Sequence, residues 1–463
     1  MTNVLFIMAD ELSTFGVEGD RSPALTPTLA RLRDSGRNFT AAYTPSPICV
    51  PTRAAIATGK YLYEIGYWSS AEAYDGKVRG WGHRMQDAGI PVTSIGKLHY
   101  RNQSDATGFD QQIEPIHIPD GIGWVRALLR NPLAPYDATA EMAAMIGPGE
   151  SDYTHFDRRV TAEACAWLRD APDKPWCTFV SYLSPHYPLI APEEHFKKYN
   201  PKEFESSAET VPKHPILAEL ADFFDHDPYF TAETRGIARA GYYGLCSFLD
   251  QQIAIVLEAL HETGLDQDTL IIFTSDHGEM LGARGFWGKS TMYEASARVP
   301  LFISGSEVTP ETLSAPVSLI DLAPTICNAL GVDSSGFSGV DLMHTPDPRR
   351  TVLSEYHDGG ASVGVTMVRW QGTDGTDWKY VHYAQGSPPQ LFNLSADPGE
   401  KVDLSESDPE TVTEARTRMA ALLDPEATND RAHADQAALV ERLGGRQKLL
   451  AMEQWNFTPA DSR

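Results

Sequence analysis

The chain contains a series of short apolar runs, and each of them leads directly into polar residues. Residues 4–9 are apolar without interruption and are followed by Asp10 and Glu11. An apolar run of this length without alternation is typical of a parallel strand that is buried on both faces. Similar runs occur at residues 91–95, 178–183, 269–274 and 299–303. These runs predict the strands of one buried, mostly parallel sheet.

Helical patterns separate the predicted strands. Thr26 and Pro27 begin a helical stretch that Gly36 closes, which is the usual arrangement of an N-cap, a first-turn proline and a terminating glycine. Residues 232–263 carry apolar side chains at helical spacing, and residues 320–330 predict another helix. Strands that alternate with helices indicate an α/β fold.

The pattern changes after residue 332. Short alternating runs separated by glycine and aspartate predict a small antiparallel sheet, and a helix is expected at residues 409–423. Residues 103–155 and 196–230 lack clean periodicity and are expected to be long loops or insertions that wall a pocket. We therefore expect a large α/β domain, a C-terminal α+β subdomain and a polar tail, at residues 1–332, 333–425 and 426–463.

The polar residues that follow the apolar runs are candidates for one binding site. In open α/β sheets, ligands bind beyond the carboxyl ends of the strands. The residues expected there are Asp10, Glu11, Lys97, His99, His186, Asp276 and His277. The two aspartates and His277 form a credible set of ligands for a divalent metal. Taken singly, an aspartate in such a position is more often a helix cap or a turn residue, and a histidine is more often a hydrogen-bonded structural residue.

Three segments carry a resemblance to a known family. Residues 49–53, Cys-Val-Pro-Thr-Arg, match the Cys-x-Pro-x-Arg signature of sulfatases and continue into a run of small residues. Residues 273–282 resemble the metal-binding segment of the same family, and residues 287–301 resemble a run of its choline-sulfatase-like branch. The chain thus resembles formylglycine-dependent type I sulfatases of the alkaline phosphatase superfamily, which are related to arylsulfatases and phosphonate monoester hydrolases.

The resemblance implies a fold and a cofactor. The implied fold is an alkaline-phosphatase-like α/β sandwich, with a large, mixed, mostly parallel sheet flanked by helices and a small antiparallel C-terminal sheet. Cys49 would be oxidised to formylglycine by a formylglycine-generating enzyme, and its hydrate would attack the sulfur of a sulfate ester. One divalent metal, Ca²⁺ or Mn²⁺, would be bound by Asp10, Asp276, His277 and the modified Cys49. Thr52 departs from the commonest form of the signature, which has serine there, and bears on whether Cys49 is converted.

The resemblance also assigns catalytic roles, to Cys49, Arg53, Lys97, His99, His186 and Lys289. Arg53 would hold the aldehyde hydrate in place, while Lys97 and Lys289 would neutralise the oxygens of the sulfate. His186 or Lys289 would protonate the leaving oxygen, and His99 would assist the breakdown of the intermediate ester. A solvated surface charge is the alternative for each cationic residue taken alone.

Composition and charge indicate the cellular compartment and exclude some classes of binding partner. The chain has 38 basic and 63 acidic residues and a net charge of −25, which argues against nucleic acid or an anionic membrane as a partner. The five cysteines are odd in number and widely spaced, so we expect buried thiols rather than disulfides. The start of the chain lacks a basic region and a cleavage site, and no apolar stretch approaches the ~20 residues of a membrane span. A cytoplasmic protein is therefore expected.

The resemblance indicates what the protein binds. The expected substrate is a small-molecule sulfate monoester of the aryl sulfate or choline sulfate type. A choline group needs an aromatic cage with a carboxylate, for which the candidates are Tyr67, Trp68, Trp81, Trp124 and Glu355. Residues 455–459 resemble a tail that reaches into a neighbouring subunit in the choline-sulfatase-like branch, which implies a homo-oligomer, a dimer or a tetramer. Two alternatives stay open: a phosphonate monoester hydrolase or phosphodiesterase with the same site, and an inactive homologue that binds a metal or an anion.

Overall fold

The computed structural model describes residues 3–19, 22–452 and 458–460 of the chain. Its strands are β1 (Asn3–Asp10), β2 (Arg37–Phe39), β3 (Ala42–Tyr43), β4 (Val92–Lys97), β5 (Gln111–Ile116), β6 (Ile146–Pro148), β7 (Cys177–Pro185), β8 (Leu189–Ala191), β9 (Thr269–Ser275), β10 (Leu301–Ser304), β11 (Glu311–Leu313), β12 (Val317–Ser318), β13 (Val352–Tyr356), β14 (Val365–Gln371), β15 (Asp377–Tyr383) and β16 (Gln390–Asn393). Its α-helices are α1 (Pro27–Asp34), α2 (Cys49–Thr58), α3 (Leu62–Ile65), α4 (Trp81–Asp87), α5 (Thr139–Ala144), α6 (Asp152–Arg169), α7 (Glu193–Phe196), α8 (Pro215–Phe224), α9 (Ala232–Glu262), α10 (Glu294–Ala297), α11 (Leu322–Ala329), α12 (Pro409–Ala420), α13 (Pro425–Arg442) and α14 (Arg446–Ala451).

Eight of these strands form the main sheet, in the order β11-β2-β10-β9-β1-β7-β4-β5. Strand β1 pairs in parallel with β9 on one side and with β7 on the other. Strands β4 and β5 continue the parallel arrangement beyond β7. Strand β10 runs antiparallel to both of its neighbours, β9 and β2. The sheet is thus mixed and mostly parallel, which confirms the predicted fold class.

The side chains of β1 alternate between two apolar cores. Leu5 and Ile7 pack with residues of α6 and α9 on one face of the sheet. Val4 and Phe6 pack with residues of α2, α4 and α11 on the other face. Because successive side chains of a strand point to opposite faces, a strand that is covered by helices on both sides must be apolar throughout. This is the physical origin of the uninterrupted apolar run at the start of the chain.

Helix α2 lies between the main sheet and a smaller, antiparallel sheet of order β13-β14-β15-β16. All residues of α2 are buried. Ala54 and Ile56 pack in the main-sheet core, whereas Ala55 packs with Leu353 and Trp370 of the small sheet. Small side chains let the helix fit between the two sheets, so the segment that begins at Cys49 is held from both sides.

The longer predicted helices are confirmed, because α9, α11 and α12 cover most of residues 232–263, 320–330 and 409–423. The five cysteines are all buried and unpaired, as predicted. Within the described residues, no helix combines the length and the apolarity needed to cross a membrane.

Residues 103–155 and 196–230, which were expected to be long loops or insertions, contain short regular elements. The first segment contains β5, α5, β6 and the start of α6, and the second contains α8. The 6-residue α5 and the 3-residue β6 are too short to give a periodic signal. The polar tail is also helical over much of its described length, in α13 and α14. Helix α13 buries only a narrow stripe, Thr428, Asn429, Ala432, Gln436 and Val440, so its apolar pattern is weak.

Candidate active site

The carboxyl ends of four neighbouring strands meet at one edge of the main sheet. Strands β9, β1, β7 and β4 are adjacent and parallel, so their ends lie side by side. The residues at or just after these ends are Asp276 and His277 on β9, Asp10 and Glu11 on β1, His186 on β7, and Lys97 and His99 on β4. The structure therefore brings together all the strand-end residues that the sequence marks as candidates.

Cys49 is the first residue of α2 and follows an extended Ile48. It is only 7% exposed and lines the cavity at the strand ends. Burial raises the pKa of its thiol, and the nearby charges of Lys97 and Lys289 do not offset that effect. Since the thiolate is the reactive form of cysteine, an unmodified Cys49 is a poor nucleophile at neutral pH.

The carboxylates of Asp10 and Asp276 and the imidazole of His277 form a group that suits a divalent cation. Their ligand atoms all lie within 4.8 Å of one another, and all three residues are fully buried. Oδ1 of Asp10 and Nε2 of His277 lie 3.8 Å apart, and neither has a hydrogen-bond partner among the described residues. Nδ1 of His277 donates to the carbonyl of Gly278 at 3.1 Å, which leaves Nε2 as an acceptor. Unpartnered buried atoms of this kind fit a bound metal.

Arg53 ties the metal-binding group to strands β4 and β7. Its Nε donates to Oδ2 of Asp276 at 2.9 Å, and one Nη donates to Oδ2 of Asp10 at 3.2 Å. The other Nη donates to the carbonyl of Lys97 at 2.9 Å and to the hydroxyl of Ser181 at 3.0 Å. The planar guanidinium thus fixes two carboxylates and two strands at once.

Asp10 is kept anionic by its neighbours. Burial by itself would raise the pKa of its carboxyl, but the charges of Lys97 and Arg53 hold that pKa well below its ordinary value. The ammonium of Lys97 donates directly to Oδ2 of Asp10. Because Oδ2 takes the hydrogen bonds of Lys97 and Arg53, Oδ1 is left for a cation.

Lys289, His186 and Glu11 form a second polar group next to the first. Nζ of Lys289 lies 2.9 Å from Oε2 of Glu11 and 2.6 Å from Nε2 of His186. Nε2 of His186 lies 3.2 Å from the same oxygen of Glu11. Ligand atoms of Asp10, Glu11 and His186 also lie within 4.8 Å of one another. The sequence assigns no role to Glu11, and the only signal for it is its place directly after Asp10.

His99 meets the C-terminal end of the described chain. Its Nε2 lies 2.6 Å from the hydroxyl of Thr458, and the hydroxyl of Tyr153 donates to the carbonyl of Thr458 at 2.8 Å. Ala460 is buried in the core that α6 and α9 form with the main sheet. In the predicted subunit-bridging segment 455–459, residues 455–457 lie outside the described residues, and Thr458 contacts its own chain.

These residues line a cavity of about 270 Å³. The lining also includes several aromatic side chains, among them Trp124, Tyr136, Phe224, Phe230 and Trp287. Residues of both segments that were expected to wall a pocket, 103–155 and 196–230, contribute to it. The cavity therefore has both charged and aromatic side chains in its lining.

Four of the five candidates for an aromatic cage do not line this cavity. Trp124 does, but Trp68 packs against His357 and Trp81 packs against Phe109 in the protein interior. Tyr67 donates to Asp75 at 2.6 Å, and Glu355 accepts from the backbone of Tyr63 at 3.2 Å. Residue type alone therefore did not identify the cavity wall, since aromatic side chains also fill the cores.

Comparison with known proteins shows the family of this chain. The family model described as "Sulfatase" matches residues 2–332. The chain belongs to the sulfatase family. The predicted family and enzyme class, a sulfuric ester hydrolase, are thereby confirmed.

Two curated relatives and one solved structure are similar to this sulfatase. The choline-sulfatase of Rhizobium meliloti (strain 1021) is 30% identical over 456 residues, which cover 92% of this chain and 87% of that protein. Arylsulfatase K of Bos taurus is 28% identical over 466 residues, which cover 91% of this chain and 82% of that protein. The phosphonate monoester hydrolase of Agrobacterium radiobacter matches with a TM-score of 0.72 at 23% identity, over 93% of this chain and 96% of its own. The structural match supports the fold.

Proposed function

We propose that this sulfatase cleaves the S–O bond of a small-molecule sulfate monoester, with formylglycine at position 49 and one divalent metal bound by Asp10, Asp276 and His277. The observation that carries the proposal is the pair of Asp10 Oδ1 and His277 Nε2, which have no hydrogen-bond partner in the described part of the chain and lie at the strand ends where Cys49 lines the cavity. A bound metal would act there as a Lewis acid and would activate the hydrated aldehyde as a nucleophile. The oxygen-rich set suits Ca²⁺, whereas the imidazole favours Mn²⁺.

The chain's own cations would bind the sulfate and stabilise its developing charge. Lys97 is bound to Asp10 and Lys289 to Glu11, and each ammonium has further protons to donate. Both lysines line the cavity, so they can contact non-bridging sulfate oxygens. Arg53 is occupied by the carboxylates of Asp10 and Asp276 and would orient the metal-binding group rather than the substrate.

His186, Lys289 and His99 would take part in the proton-transfer steps of the reaction. Nζ of Lys289 lies within hydrogen-bond distance of Nε2 of His186 at the cavity, and Nδ1 of His186 donates to the carbonyl of Tyr187. Lys289 therefore carries the proton that can be given to the leaving oxygen, and His186 accepts a hydrogen bond from it. Burial and the neighbouring lysines hold the pKa values of His186 and His99 well below the ordinary value. His99 is therefore neutral at pH 7 and can accept a proton when the intermediate ester breaks down.

Maturation of Cys49 by a formylglycine-generating enzyme is the part of the proposal most open to direct test. The protein should be co-produced with that enzyme, and the mass of the tryptic peptide 38–53 should be measured. Conversion of the thiol to an aldehyde replaces one sulfur and two hydrogens by one oxygen, so the peptide should lose about 18 Da. If Cys49 stays a thiol and Cys49→Ala leaves turnover unchanged, the protein is not a formylglycine enzyme, and an inactive metal- or anion-binding homologue becomes the better description.

A phosphonate monoester or phosphodiester is the second candidate substrate. Such a substrate carries one negative charge, like a sulfate monoester, so the same two lysines would serve both. The kcat/KM values for paired aryl sulfates and phenyl phosphonates decide between them. A preference for the phosphonate by several orders of magnitude would overturn the sulfate assignment.

We further propose that the protein is a homo-oligomer, a dimer or a tetramer, on the resemblance of residues 455–459 to a subunit-bridging tail. Light scattering after size-exclusion chromatography tests this. A single species at the monomer mass of 50.9 kDa would contradict it.

A further inference from the structure

The carboxyl group of Glu11 lies outside the metal-binding group but contacts Lys289 and His186, the residues proposed to take part in protonation of the leaving oxygen. Its Oε2 is 2.9 Å from Nζ of Lys289 and 3.2 Å from Nε2 of His186, and those two nitrogens are 2.6 Å apart. The three side chains thus form a closed triangle in which every edge is within hydrogen-bond distance. The side chain of Glu11 is 2% exposed, so water does not compete for these contacts.

The backbone and the side chain of Glu11 are also fixed by contacts with residues outside the triangle. Its backbone N–H donates to Oδ1 of Asp276 at 3.2 Å, and its carbonyl accepts from the hydroxyl of Tyr242 at 3.1 Å. Its carboxyl also hydrogen-bonds to the side chain of Glu279, which requires one proton between the two groups. Glu279 is itself fixed, because its Oε1 accepts from the backbone of Leu281 at 2.7 Å and of Gly288 at 2.6 Å. Glu11 therefore has the rigid support that a residue needs in order to orient others.

The ammonium of Lys289 lies where a second cation beside Glu11 would be bound. Asp10, Glu11 and His186 could together hold a cation, but the ammonium of Lys289 already lies within hydrogen-bond distance of two of the three. The lysine thus provides the positive charge at this place. Because Lys289 also lines the cavity, its ammonium can reach the substrate.

We propose that Glu11 is a positioning residue, whose carboxylate holds the ammonium of Lys289 and the imidazole of His186 together at the cavity where the leaving oxygen is protonated. This inference rests on the proposed sulfate ester hydrolysis. Glu11 does not touch the substrate; it acts through Lys289 and His186. Its removal should therefore matter most for esters whose alcohol must be protonated in order to leave.

A series of aryl sulfates with leaving groups of increasing pKa, from 4-nitrophenol to phenol, tests the proposal with Glu11→Gln. The variant keeps the shape of the side chain but replaces one carboxyl oxygen, the atom type that accepts from Lys289, by an amide nitrogen that cannot accept. The kcat/KM for phenyl sulfate should fall roughly 10- to 100-fold, because a general acid contributes roughly 10²–10⁴-fold and is here misplaced rather than removed. The kcat/KM for 4-nitrophenyl sulfate should fall by less than about threefold, since a good leaving group needs little protonation. In Glu11→Gln, kcat/KM should therefore fall more steeply with increasing leaving-group pKa than in the native protein.

The matched control is Glu355→Gln, a buried acid-to-amide change outside the cavity, which should leave the leaving-group dependence unchanged. A second readout is the double variant of Glu11→Gln with His186→Asn. If Glu11 acts through His186, adding Glu11→Gln to the His186→Asn variant should lower kcat/KM for phenyl sulfate much less than Glu11→Gln does in the native protein. If Glu11→Gln does not fold, Glu11→Asp, which withdraws the carboxylate by one methylene, should show the same steepening.

Three results would overturn the inference. A loss that is equal across the series would show a general structural role, and an unchanged rate would show no role. Two metal ions in the native protein and one in Glu11→Gln, measured by elemental analysis, would make Glu11 a ligand instead. Failure of the proposed function looks different: the native enzyme would then turn over no aryl sulfate, and the same leaving-group series built on aryl phosphonates would give the readout for Glu11.

Discussion

The hydroxyl oxygen of Thr52, in the first turn of α2, lies 2.9 Å from that of Thr44, in the buried segment that leads into the helix. Thr52 also donates to the carbonyl of Ser46, and its side chain is fully buried. The hydroxyl at position 52 therefore fixes the loop that precedes Cys49. Serine, which is the commoner residue of the signature at this position, carries the same hydroxyl, so threonine keeps the group that the local structure uses.

Replacing Thr52 tests this structural role. Thr52→Val should lower the free energy of unfolding by about 1–3 kcal/mol, because it leaves buried polar partners without a hydrogen bond. Thr52→Ser should cost less, since it keeps the hydroxyl and loses one methyl group. Urea unfolding followed by circular dichroism measures both. Equal stability of the two variants would show that the hydroxyl is not needed.

Replacing Arg53 should affect both stability and activity. Arg53→Lys cannot reproduce the simultaneous contacts with Asp10 and Asp276, and breaking a buried ion pair costs about 3–5 kcal/mol. We expect a loss of this size in unfolding measurements on metal-stripped protein, together with a large loss of kcat. The matched control is Arg158→Lys, in a partly exposed pair with Glu150, which should cost less than about 1 kcal/mol. A similar cost for both variants would contradict the proposed role of Arg53.

Metal binding should stabilise the protein through His277. Metal-stripped protein should gain about 2.7 kcal/mol of stability in Mn²⁺ or Ca²⁺ at a hundred times the dissociation constant, because the metal binds only the folded state. The same metal concentration should stabilise His277→Gln far less. His382→Gln, in a surface pair with Glu426, is the control and should respond like the native protein. Thermal unfolding with and without metal measures the difference, and an equal response in His277→Gln would exclude this residue as a ligand.

Glu355 should make stability depend on pH. Burial raises the pKa of its carboxyl from the ordinary value of 4.5 to about 8, although backbone N–H groups of Tyr63 and Leu62 partly oppose the effect. The folded protein therefore keeps a proton that the unfolded chain has released, and this group's contribution to stability falls as pH rises from about 4.5 to about 8. Glu355→Gln removes the dependence, so its stability relative to the native protein should rise between pH 5 and pH 8. Parallel stability curves in urea unfolding across this range would contradict the prediction.

Much of the fold follows from local patterns. The apolar run of β1 has to be continuous because helices cover both faces of the main sheet, and the small residues of α2 follow from its place between two sheets. The short elements between residues 103 and 155 could not be predicted in this way. A strand of three residues, such as β6, has too few positions to show a period and is stabilised by its pairing with β8, which lies far along the chain.

The sequence by itself determined which polar residues lie at the strand ends, because parallel strands bring their carboxyl ends to one edge of the sheet whatever the loops do. It also carried the segment around Cys49 and hence the family. Only the tertiary structure decided the partners of Glu11, the burial of Glu355 and the aromatic residues that line the cavity. These depend on contacts between segments that are far apart in the chain, such as Glu11 with Lys289, and no local period encodes which two distant side chains meet.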